Sequence, residues 1–309
     1  MAYRTLRRGR RSYTRKVTRS TRRGVRTPYR RRSYPTRRRR YTRSGVMSRR
    51  RVLNISSRKK RDNMVVFSNT TTEIPQGNTA YAKVPAVLNG NATYMFPWMP
   101  TARDLTLYNG TYPTIALQSA RTASTCFMRG VKEATNIRTD SGTAWQWRRI
   151  GFTLKGQRLY QANAATQWFH LESSDGVLRV TNNVAGTPLG QSILDLVFDG
   201  QSGSDWLNLF NAKIDNDIIS VKYDKTRTIA SGNDRGIIRT YHDWHPMNKN
   251  LVYDDDENAA GERTTPWSVS GKQGMGDYYI IDFFQAATGA TASDHLSFAP
   301  EATLYWHEK

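Results

Sequence analysis

From position 62 onward, apolar residues recur in short runs rich in β-branched and aromatic side chains, separated by Gly, Asn, Asp and Pro. Nine runs read as strands: 64–67, Thr125–Thr139, Ala144–Leu154, Val177–Thr181, Ile193–Phe198, Ile218–Tyr223, Gly236–Tyr241, Tyr278–Phe284 and Ala302–Trp306. No strand-helix alternation of the kind that builds a parallel sheet runs through them. The pattern predicts an all-β body, a single eight-stranded jelly roll with long loops. One helix is predicted over 204–214, where Ser204 caps the start and Trp206, Leu209, Phe210 and Lys213 or Ile214 recur at helical spacing until Asp215-Asn216. Residues 89–122 and 242–275 read as long loops.

The run Ala144–Leu154 is apolar on both of its faces. Ile150, Phe152 and Leu154 alternate on one side, while Trp145, Trp147, Arg149 and Thr153 share the other. Such a strand requires cover on both sides, from a loop or from a neighbouring subunit. Aromatic residues are enriched at the centres of protein interfaces, so Trp145, Trp147, Trp244 and Trp306 are candidate subunit contacts, with ordinary core packing as the competing role.

Before residue 62 the alternation vanishes. Of 47 Lys and Arg residues, 26 precede Asp62, whereas all 25 acidic residues lie from Asp62 onward, so the first 61 residues carry +26 and the rest −4. Too few aliphatic side chains are present there to offset an ordering cost of roughly 1–2 kcal/mol per residue, and the arm is expected to be disordered until a polyanion binds it. Gly9, Gly24, Pro28, Pro35 and Gly45 interrupt any helical face. Arginine dominates over lysine, and Tyr3, Tyr13, Tyr29, Tyr34 and Tyr41 are spaced among the charges. Guanidinium grips phosphate bidentately and stacks on bases, and tyrosine adds a stacking surface for unpaired bases. The candidate nucleic-acid contacts are therefore Arg7, Arg8, Arg10, Arg11, Arg15, Lys16, Arg19, Arg22, Arg23, Arg26, Arg30, Arg31, Arg32, Arg37, Arg38, Arg39 and Arg40. Arg58, Lys59, Lys60 and Arg61 close the arm and match a nuclear import signal. The domain boundary is placed after residue 61, and deleting 1–61 is expected to leave the 62–309 body folded.

No apolar run in the first seventy positions has the length of a secretory h-region, and none elsewhere approaches the roughly 20 residues of a membrane span. A soluble protein without a membrane partner is expected. Cys126 is the only cysteine, which leaves no internal disulfide and no cysteine-based zinc finger; inside a strand it reads as a small buried hydrophobe. The common phosphate-loop, nucleophile-elbow and zinc-protease motifs are missing. His242-x-x-His245 has no third ligand beyond Asp243, Asp140-Ser141-Gly142 reads as a turn, and Asp254-Asp255-Asp256-Glu257 reads as a solvated loop with cation binding or pairing to a neighbour's arginines as alternatives. The expectation is a non-enzyme without metal or cofactor.

Four stretches carry a resemblance to a known family: Trp145 to Gly156, Asp243 to Lys249 with Leu251 to Glu257, Gly274 to Asp277, and the closing Leu304 to Lys309. Together they resemble the capsid proteins of genomoviruses, small circular single-stranded DNA viruses. The resemblance implies a jelly-roll subunit of a T=1 icosahedral shell, found in the virion and, during assembly, in the host nucleus. Its implied partners are genomic single-stranded DNA, further copies of itself and the host nuclear import machinery. About sixty such copies would carry on the order of 1,500 arm charges, against one negative charge per nucleotide of genome. A cellular basic protein of the ribosomal or chromatin type is the alternative.

Overall fold

A computed structural model describes residues 47–156, 158–159 and 168–309. The arginine clusters from Arg7 to Arg40, and the expectation that they are disordered, lie outside the described residues. Ser48–Lys309 form one compact unit.

Along the chain, helix α1 (Arg49–Ser56) leads into β1 (Arg58–Met64), β2 (Val66–Ser68), β3 (Ala86–Asn89), β4 (Thr93–Trp98), β5 (Thr125–Thr139) and β6 (Trp145–Leu154). Strands β7 (Leu171–Ser173) and β8 (Gly176–Thr181) precede helix α2 (Pro188–Val197). After it come β9 (Ser220–Ile229), β10 (Ile238–Val252), β11 (Asp256–Asn258), β12 (Gly261–Arg263), β13 (Asp277–Ala286) and β14 (His295–Glu308). Two sheets dominate, one ordered β1-β14-β5-β10 with β3 also paired to β14, the other β4-β13-β6-β9. Every pairing in both is antiparallel. A small sheet β2-β8-β7 and a β11-β12 hairpin complete the strands among the described residues, and the body is all-β as expected.

The two large sheets pack face to face, and the side-chain period of two sorts their residues. From the first sheet, Met128, Val131, Leu304 and Trp306 meet Trp98, Tyr278 and Ile280 of the second. Leu88, Ile137, Leu296 and Phe298 meet Tyr94, Phe96, Trp145, Trp147 and Phe284. The opposite face of the second sheet is covered as well: Met95, Ile150, Phe152, Tyr279, Ile281 and Phe283 pack against Leu189, Ile193 and Val197 of α2. Strand β13 is thus buried on both sides, which is why Asp277–Phe284 reads as a near-continuous apolar run. The cover required for the tryptophan face of β6 comes from the chain's own first sheet.

Several elements differ from expectation for physical reasons. Ile193–Phe198, read as a strand, lies largely within α2: Thr187 caps it by accepting from Gly190 N at 3.1 Å, Pro188 opens it, and Leu189, Ile193, Leu196 and Val197 line one face. The predicted helix over 204–214 is a set of turns tied by isolated bridges, Ser202 to Trp206 and Phe198 to Ile214, and its helical spacing reflects separate side chains entering one core. The loop expected over 89–122 contains β4. Pro97 disguised that strand, and it is tolerated because β4 is a sheet edge. The loop expected over 242–275 contains most of β10, whose inward positions include Asp243 and His245 in place of aliphatic residues.

The arm boundary also moves. Ser48 caps α1, no Gly or Pro interrupts 49–56, and β1 then pairs along its whole length with β14 from Ala302 to Glu308. Lys60 points inward, 3% exposed, donating to Ala120 O at 2.7 Å and Thr122 Oγ1 at 2.9 Å and pairing with Glu308 at 3.0 Å. Positions 58–61 therefore belong to the folded body, because the C-terminal strand supplies both a hydrogen-bonding edge and a neutralising carboxylate, and the compact unit begins at Ser48.

Candidate nucleic-acid interface

Three of the four tryptophans expected at subunit contacts are buried within the chain's own core. Trp145 and Trp147 are fully buried and Trp306 is 1% exposed. Trp147 stacks on Phe284 with ring centroids 5.7 Å apart, and its indole N–H donates to Asp282 Oδ1 at 2.7 Å. Between the sheets, Asp282 and Glu133 are bridged by two arginines. Arg149 reaches Asp282 Oδ1 at 2.6 Å and Glu133 Oε2 at 2.7 Å, while Arg179 reaches Glu133 Oε1 at 3.1 Å and Asp282 Oδ2 at 2.9 Å. All four side chains are fully buried, and the charges balance. Burial alone would lower the Arg149 pKa, but the combined pull of Asp282, Glu133 and Asp243 leaves it raised. Burial likewise acts to raise Asp282, and Arg149, Arg179 and Trp147 more than offset it, so the carboxyl stays ionised below the usual range. Beside them His245 is held down to about 4 by burial and by Arg149, hence neutral at physiological pH. This network ties β5, β6, β8 and β13 together and offers no surface to a partner.

The outward face of the β1-β14-β5-β10 sheet is different. Register places side chains in rows across it: Lys59, His307, Phe127 and Asn250; then Arg61, Tyr305, Gly130 and Pro246; then Asn63, Thr303, Lys132 and Trp244. Arg129 sits beside the bulge at Gly130, and Arg138 extends the basic series toward the far end of β5. Burial, and then the neighbouring Lys59 and Arg129, hold His307 below the ordinary imidazole range. Trp244 is the tryptophan left open, 46% exposed. It crosses β5 at Gly130, where an added Cβ would come within 2.7 Å of the indole and 2.4 Å of His245 O, and where φ is +149°. The missing side chain lets the indole lie across the strand and approach Tyr305, ring centroids 6.0 Å apart. An open depression of about 450 Å³ adjoins this pair, lined by Asn63, Lys132, Ala134, Glu301, Thr303 and Tyr305.

The remaining sequence candidates scatter. Of the stretch matched to an import signal, Arg58, Lys59 and Arg61 are exposed and Lys60 is buried, all within a paired strand. His242 and His245 lie on opposite faces of β10 and share no ligand site. Within the acidic run, Asp255 is turned inward and its Oδ1 accepts from Arg121 Nη2 at 3.0 Å, while Arg263 approaches Asp254 and Asp256 at 3.9 and 4.0 Å. Its arginine partners come from its own chain. Cys126 is buried in β5, as expected. No family model matches the chain, and a search of curated proteins finds no match.

The basic residues that sequence reading missed are Arg129, Lys132 and Arg138. Their strand was recognised, and the signal was present in its alternation, since Phe127, Arg129, Lys132 and Arg138 fall on the face opposite Cys126, Met128, Val131 and Ile137. Joining them to Lys59, Arg61, Trp244 and Tyr305 required the pairing of four strands distant in sequence. Among the described residues, none of Lys59, Arg61, Arg129, Lys132 and Arg138 enters an ion pair, whereas Arg103, Arg121, Arg148, Arg149, Arg179 and Arg227 all do.

Proposed function

We propose that this protein is the coat subunit of a small circular single-stranded DNA virus of the genomovirus kind, forming a T=1 shell and packaging its genome through the basic N-terminal arm. The observation that carries this reading is the separation of charge, +26 over residues 1–61 against −4 over the remainder. An arm of that kind binds polyanion by releasing counterions without reading sequence, while a nearly neutral body is free to pack against copies of itself.

Strand order supports the jelly-roll part of the proposal. When β1, β4, β5, β6, β9, β10, β13 and β14 are counted one to eight, the two large sheets run 1-8-3-6 and 2-7-4-5. Each sheet interleaves early and late strands, the arrangement expected of two linked Greek keys. Since β1 is paired on β14, entry into a host nucleus would be addressed by the arginine clusters from Arg30 to Arg40 instead of the stretch ending at Arg61.

Purified full-length protein mixed with circular single-stranded DNA, imaged by electron microscopy and treated with nuclease, tests the reading. Uniform closed particles with protected DNA are expected. A persistent monomer at high concentration, with the DNA fully digested, would overturn it, and open nucleoprotein aggregates would favour a cellular nucleic-acid-binding protein.

A further inference from the structure

We propose that the outward face of the β1-β14-β5-β10 sheet is itself a binding surface for single-stranded DNA, with Trp244 and Tyr305 stacking on unpaired bases and Lys59, Arg61, Arg129 and Lys132 holding the phosphates. The inference deepens the coat-subunit reading and rests on it for the identity of the strand. It assigns the body a direct role in nucleic-acid contact, in addition to the arm.

Three observations point the same way. The first is uncompensated charge: five cations, Lys59, Arg61, Arg129, Lys132 and Arg138, share the face with Glu301 and, at its far end, with Asp140, which is already paired to His295. Inside the body arginines are matched with acids; on this face none of the five cations forms an ion pair among the described residues. The second is the aromatic pair. An exposed indole laid across a glycine and tilted 57° to a tyrosine ring offers faces to bases that are already unstacked, and an intact duplex would not present them. The third is the depression beside that pair, of the volume of a small-ligand site, in which Asn63, Thr303 and Glu301 supply an amide, a hydroxyl and a carboxylate. Those groups match the edge of a base: Glu301 accepts from an exocyclic amine while Lys132 at the rim faces the backbone. Phosphate would be repelled from the Glu301 side and drawn toward Lys59, Arg61 and Arg129, which orients a strand on the sheet.

Full-length protein is cross-linked by ultraviolet light to a single-stranded oligonucleotide of deoxyadenosine and deoxycytidine carrying 5-bromodeoxyuridine, and the adducts are mapped by mass spectrometry. Adducts at Trp244 or Tyr305 are expected alongside those on arm tyrosines. The double variant Arg129→Glu, Lys132→Glu changes only outward side chains, and its fold is checked by its melting temperature. It should lose the sheet adducts by roughly tenfold, because two phosphate contacts are replaced by repelling carboxylates, while arm adducts persist. Duplex DNA of the same length should give arm adducts without sheet adducts. Adducts confined to residues 1–47 would overturn the sheet surface and leave arm packaging intact; adducts nowhere would sink both. Lysine cross-links joining Lys132 of one copy to another, with sheet adducts missing, would overturn the proposal by showing the face to be a contact between copies.

Discussion

Arg149 carries more of the fold's logic than any other single side chain. It is fully buried between two carboxylates and next to the Trp147 ring, with its guanidinium carbon 4.9 Å from the ring centroid. Removing one partner of a buried ion cluster strands the others, so Arg149→Met should destabilise the protein by about 3–5 kcal/mol, measured by urea unfolding. Replacing outward Lys132 by Met should change stability by less than about 0.5 kcal/mol in the same assay. Asp277 sets a pH dependence. Burial pushes its carboxyl from 3.8 up to about 7, with hydrogen bonds from Ser268 only partly countering. Over that interval the folded chain holds a proton that the unfolded chain releases. Its contribution to stability is therefore complete below about pH 4 and is lost as pH rises through about 7. Asp277→Asn should flatten the fall in urea midpoint between pH 5 and pH 8; an unchanged slope would show that another group is responsible.

Strand β1 shows how an element can be hidden by its own composition. A run of four basic residues reads as tail, yet every second position faces inward and Lys60 is neutralised by Glu308, whose own pKa is lowered: burial acts to raise it, and contacts from Thr122, Trp306 and Lys60 more than offset that. The placement yields a sharp comparison of truncations. Removal of residues 1–47 should leave the melting temperature unchanged, whereas removal of 1–61 strips four paired residues from β14, exposes an unpaired edge and leaves Glu308 buried without its lysine. The longer truncation should melt several degrees lower or aggregate, seen by scanning calorimetry and light scattering. Strand prolines obey the same edge logic. Pro97 and Pro246 lie on the edge strands β4 and β10, and Pro300 falls in the gap on β14 between the partners β3 and β1. The strands most easily read were β5, β6 and β13, whose alternation or continuous apolar run is carried by aliphatic and aromatic side chains. Strand β4, interrupted by proline, was missed, and β10 was read only as far as Tyr241, because its inward positions beyond it are partly ionic.

For the whole molecule, charge is the governing quantity. Residues 1–47 hold 19 of the 47 basic side chains, so binding of single-stranded DNA by full-length protein should weaken steeply with salt. Removing 1–47 should reduce the slope of log K against log salt several-fold and leave a weaker residual affinity from the sheet face, measured by fluorescence anisotropy across a salt series; an unchanged slope would remove the arm from the packaging proposal. The arm's charge, its separation from the acidic residues and the strand-rich character of the body were all legible in the linear chain, because each depends on composition or on near-neighbour spacing. The inward placement of Trp145, Trp147 and Trp306, the pairing of 58–61 with the C-terminal strand and the gathering of Lys59, Arg61, Lys132, Trp244 and Tyr305 on one face were not. Those arise from long-range strand pairing and from which face of a strand meets the second sheet, and a period of two marks alternate faces without saying which one is buried.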